Sequence, residues 1–151
     1  MKNTKCFCTL LSLLSLVVFA ACSGSGVSAQ SAKEKTIDSD RSKIQVKVLA
    51  GNADVVSVKP YIEAKEGKKK GRLWLDVVVK NTASEPKAYS VFGQAKTETG
   101  GWLGGMTEVP KDGKLVPGKE ATAKIRTGYE GEQVPKEIRV EILPAQSGPP
   151  A

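Results

Sequence analysis

The sequence predicts an all-β fold, with antiparallel sheets stacked face to face as a single β-sandwich. Three observations predict it. Apolar and polar residues alternate with a period of two in five separate runs. Signals for turns, built on glycine, proline and asparagine, separate those runs. No helical period follows the N-terminal segment. Alternation with β-branched residues turns one face of each strand to a core and the other to water, as antiparallel sheets do.

The elements follow in chain order. Ile44, Val46 and Val48 alternate with Lys43, Gln45 and Lys47, and Gly51-Asn52 ends that strand. Val56 and Val58 alternate with Ser57 and Lys59 in the second, which ends at Glu66-Gly67-Lys68. The third places Leu73, Leu75, Val77 and Val79 on one face, with Arg72, Trp74, Asp76, Val78 and Lys80 on the other. Asn81 to Pro86 is its turn, and a fourth strand starts near Lys87 and is interrupted at Gly100-Gly101. Asp112-Gly113 and Pro117-Gly118 precede the run at Ala121, Ala123 and Ile125. Glu130-Gly131 and Pro135 precede the last, at Ile138, Val140 and Ile142. About seven strands over residues 43–144, with turns at this spacing, point to a sandwich of immunoglobulin or fibronectin type. Its edges should carry charge, and Lys43 and Lys47 mark the first strand as one of them. Residues 145–151, with Pro149-Pro150, read as a disordered tail.

Residues 1–21 have another composition. Lys2 and Lys5 lead into an apolar run from Phe7 to Val18, which ends in Phe19-Ala20-Ala21-Cys22. A basic start, a short apolar middle and a small-residue exit make a secretory signal. The run is shorter than the roughly 20 residues a spanning helix needs. Phe19 to Cys22 resembles the lipobox of bacterial lipoproteins, with phenylalanine at the position leucine usually takes. That resemblance implies cleavage before Cys22, lipid on its sulfur, and anchoring at the periplasmic face of an outer membrane in a two-membrane cell. Residues 22–42 then form a flexible, lipidated tether. The alternative is cleavage after Ala29, which leaves a soluble periplasmic or secreted protein starting at Gln30.

Loss of Lys2 and Lys5 reduces 23 basic residues to 21 against 16 acidic ones, so the net charge falls from +7 to +5. Such a balance suits solubility, and it also favours anionic surfaces. Cys6 and Cys8 leave with the signal and Cys22 would carry lipid, so no cysteine pair remains for a disulfide. The chain has no histidine, which removes the commonest general base and metal ligand. Its carboxylates are spread along strands and turns rather than paired. An enzyme, a metal site and a cofactor are not expected.

Leu75 to Thr82, Thr97 to Gly105 and Leu115 to Ala121 together resemble bacterial immunoglobulin-like domains of the FxLYD kind. The first string is similar to their hydrophobic strand with an asparagine turn, the last to their leucine-x-proline-glycine approach to a late strand. The Phe-x-Leu-Tyr-Asp string itself is absent; Tyr89-Ser90-Val91-Phe92 stands apart from it. The resemblance implies a non-enzymatic module on a secreted or lipid-anchored protein.

Two segments are candidates for binding. Lys68, Lys69, Lys70 and Arg72 concentrate four cations in one turn, suited to phosphate or carboxylate groups or to plain solvation. No aromatic residues interleave with them, so nucleic acid is not an expected partner. Trp102 and Leu103 lie between glycine pairs, either as an exposed apolar loop or as a bent strand whose tryptophan caps the core. Trp74 is open three ways: covered by a loop, exposed beside Val78, or turned inward. The function these features suggest is a lipid-anchored envelope module that binds another envelope protein or an anionic surface. The alternative is a soluble accessory protein that binds carbohydrate or an anionic surface.

Overall fold

The computed structural model describes residues 32–39 and 41–145. The signal segment, Cys22 and nearly all of the expected tail lie outside the described residues. Eight strands form two sheets, and the described residues include no helix. They are β1 (Lys33–Ser39), β2 (Ser42–Val48), β3 (Ala53–Ala64), β4 (Gly71–Asn81), β5 (Tyr89–Lys96), β6 (Trp102–Val109), β7 (Glu120–Gly131) and β8 (Glu137–Pro144). One sheet has the order β1-β2-β8-β5-β6 and the other β3-β4-β7.

The alternation in the sequence is what stacks these sheets. Leu73, Leu75, Val77 and Val79 of β4 are fully buried, as are Ile138, Val140 and Ile142 of β8. With Ile44 and Val46 of β2 and Ile125 of β7 they make one apolar core between the layers. Methylene burial of about 0.8 kcal/mol per group is what holds a domain of this size without a cross-link.

Four features differ from the sequence expectation. Lys33–Ser39, read as tether, forms β1, antiparallel to β2 with Ile37 opposite Ile44. Only Ile37 of β1 packs against the core, so the strand carried almost no apolar period to read. The strand with Lys43 and Lys47 is therefore interior; the edge is β1, which carries Lys33, Glu34, Lys35 and Asp38. The sandwich is also not wholly antiparallel, because β2 pairs β8 in parallel, Ile44 opposite Ile138. The two strands are separated by the whole domain, so no local turn fixes their sense. Finally, Val56 points outward and is 49% exposed, while Val55 and Val58 are buried. A bulge between Val55 and Ser57 shifts the β3 register against β4 and reverses the face.

Each end of the sandwich has its own contents. At one end lie Val48–Ala53, Asn81–Lys87 and Leu115–Gly118, tied together through Asn81. Its Nδ2 donates to the Glu85 and Leu115 carbonyls at 2.9 and 2.7 Å, and its Oδ1 accepts from Ala83 N–H and the Tyr89 hydroxyl. The Lys33 end of β1 is here, opposite Val48. At the other end lie the β3–β4, β5–β6 and β7–β8 connections, where both candidate segments are found.

Candidate functional site

The β3–β4 connection is a tight hairpin. Gly67 takes φ 75°, and Lys68 N–H donates to the Lys65 carbonyl at 3.0 Å. Residues 65–70 are all exposed. Where β4 begins, a Cβ on Gly71 would sit 2.5 Å from the Glu63 carbonyl oxygen, so only glycine lets the strands close at that point.

The four cations do not act as one group. Arg72 ion-pairs with Glu130 across β4 and β7. The Arg72 hydrogen bond, then its charge, holds the Glu130 carboxyl below the usual range, with Arg126 and Lys65 adding to the effect against slight desolvation. Lys68, Lys69 and Lys70 have no ion-pair partner among the described residues. The free positive charge of this turn is thus three lysines.

Trp102 and Leu103 lie at the start of strand β6, not in a loop and not as a core cap. The turn before them is Thr97–Gly101, where Gly100 takes φ 88° and Thr97 N–H donates to the Gly101 carbonyl at 2.8 Å. Trp102 faces outward from the five-stranded sheet, with the Arg139 guanidinium 3.9 Å above its ring. Leu103 faces the seam between β6 and β7, beside Gly128, and stays 42% exposed. The glycines after it are there for packing. A Cβ on Gly105 would lie 2.1 Å from the Arg126 carbonyl oxygen, so the sheets approach backbone to backbone.

The fold brings parts of both candidates to one cleft. Lys70 and Leu103 line it with Thr97–Gly100 and residues 129–137. Its charges nearly balance: Lys70, Lys96 and Lys136 stand against Glu98, Glu130, Glu132 and Glu137. Lys96 and Glu137 are paired at 2.7 Å. The cleft therefore suits a polar partner of mixed charge, while the tip at Lys68 and Lys69 suits an anion. Among the described residues no three His, Cys, Asp or Glu side chains gather to hold a metal ion.

Trp74 is on the outer face of β4, opposite Tyr61 on β3 and Arg126 on β7. It is half-buried and belongs to neither core nor loop. Sequence reasoning missed Tyr61 and Asp76, which share this face. Strand pairing was the missing signal, since nothing in the spacing of 61 and 74 reports that they are opposite. Phe92 and Met106 were missed for the same reason; they are paired on the outer face of the other sheet. No family model, curated protein or solved structure matches this chain.

Proposed function

We propose that the chain is a lipid-anchored, non-enzymatic envelope module whose working end is the one carrying Lys68, Lys69, Lys70 and Leu103. One observation carries the reading. The described chain begins at the opposite end, where Lys33 lies beside Val48, and β4 separates the two ends by 11 residues, about 36 Å. An anchor on Cys22 precedes Lys33 by 11 positions, a reach of at most about 40 Å. The unpaired lysines thus project away from the side on which the chain arrives. The partner that fits is another envelope component, protein or anionic polymer, rather than the anchoring bilayer.

We read the sandwich as immunoglobulin-like. Strands β3, β4 and β7 then stand for A, B and E, and β5, β6 and β8 for C, C′ and F. β2 takes the position of G with the opposite sense. Support for the FxLYD-like reading comes from Asn81 and Leu115, whose strings meet through a 2.7 Å hydrogen bond. β5 has Gly93 at its centre instead of the tryptophan of antibody domains; a Cβ there would be 2.5 Å from Leu75 Cδ1.

Intact mass from the native host tests the anchor. Acyl mass on a chain starting at Cys22 is expected, and an unmodified start at Gln30 overturns it. Changing Lys68, Lys69 and Lys70 together to serine tests the working end. The fold should persist, while capture from native membranes by the chain should drop and lose its salt dependence. Unchanged capture would remove this end from the proposal.

A further inference from the structure

β4 is the central strand of the three-stranded sheet, and its outer face carries Trp74 and Asp76 side by side. Both side chains hide a polar atom with no hydrogen-bond partner: Nε1 of Trp74 and Oδ1 of Asp76. One is a donor without an acceptor, the other an acceptor without a donor. Buried groups of this kind are normally satisfied, and each one that is not costs stability. The neighbours across the strands are Tyr61 and Arg126 for Trp74, and Lys59 and Lys124 for Asp76. Lys59, Lys124 and Arg126 are exposed, long and free to change rotamer.

The unmet needs define the partner. A hydroxyl both accepts and donates, so it answers the indole N–H and the carboxylate oxygen alike. Anionic ligands such as phosphate meet repulsion from Asp76, and a purely apolar surface leaves both atoms unpaired. Tyr61 and Trp74, opposite each other, add an aromatic platform for a C–H face. Tyr61 feels its neighbour's charge: desolvation first, then Asp76 and Glu63, raise its phenol above the usual value.

We propose that this face binds a neutral saccharide, with a ring stacked on Tyr61 and Trp74 and hydroxyls placed between Trp74 Nε1 and Asp76 Oδ1. The proposal does not depend on the anchor or on the lysine end.

Titration calorimetry on the full mature chain tests it, with hexasaccharides of α-glucose, β-glucose, mannose and N-acetylglucosamine as probes. Saturable binding of at least one is expected, weakened roughly tenfold or more in Trp74→Phe, which keeps a ring but loses the N–H, and in Asp76→Ala. If the two atoms serve a ligand and not the fold, both variants melt no lower than the wild type. Should either variant unfold, Tyr61→Leu removes the platform from the edge strand, and the same weakening is expected. Absence of saturable heat with every probe at about 5 mM overturns the proposal. Binding unchanged in the folded variants does so as well.

Discussion

Tyr89 shows how one residue joins several levels of this structure. Its ring is buried at the start of β5, and its hydroxyl donates towards the Asn52 carbonyl at 2.7 Å and the Asn81 Oδ1 at 2.8 Å. Tyr89→Phe should therefore cost about 1–2 kcal/mol in urea unfolding. The pH dependence has a definite sign. Burial raises the Tyr89 phenol above its usual value. The unfolded chain then loses that proton first as pH rises, so the stability from this group is complete below the ordinary tyrosine pKa. It disappears as pH climbs through the raised folded value. The phenylalanine variant should show a flatter alkaline limb. Trp102 gives the opposite case. A core cap would cost several kcal/mol on truncation, but its ring lies outside, under Arg139. Trp102→Ala should lower stability by only about 1 kcal/mol, read from the same unfolding curves.

At the scale of elements, the seam between β6 and β7 is the tightest approach. Gly105→Ala has no room against the Arg126 carbonyl, a backbone atom that cannot swing aside. A loss of about 3 kcal/mol or more is expected. Gly101→Ala meets only the Thr97 hydroxyl at 3.4 Å and should melt within the error of wild type. β1 is the weak edge. Removing residues up to Ser39 should leave a folded sandwich, since only Ile37 packs inward. The truncation uncovers β2, a flatter edge with Val46 and Val48 beside it, and concentration-dependent association in sedimentation is the expected result. These two elements also mark what the sequence made legible. The core strands were readable because Leu73 to Val79 and Ile138 to Ile142 keep period two without interruption. β1 was not, because an edge strand with one half-buried residue leaves no period. Nor was the outward turn of Val56, because a bulge breaks the count without changing composition. The lysine turn was legible from sequence alone, whereas its loss of Arg72 to Glu130 and its closeness to Leu103 depend on pairings 58 and tens of residues away.

The whole molecule has a direction, and that direction can be measured. The chain arrives beside Asn81 and Val48, the lysine tip lies at the other end, and the unpaired Trp74 and Asp76 atoms occupy one flank between them. Nothing covalent inside the sandwich sets this arrangement, since all three cysteines precede Ser23. The apolar core alone keeps the ends apart, and melting should be the same with and without reductant. A photo-reactive side chain at Lys69 and another at Asn52 then report on opposite ends in native membranes. Held by Cys22, the Asn52 end lies nearer the bilayer and should give lipid adducts, while the Lys69 end should give protein or polymer adducts that diminish with added salt. The reverse pattern would mean that the lysines face the anchoring membrane. The cationic turn would then read as a second membrane contact, in which a lipid chain and a basic patch act together.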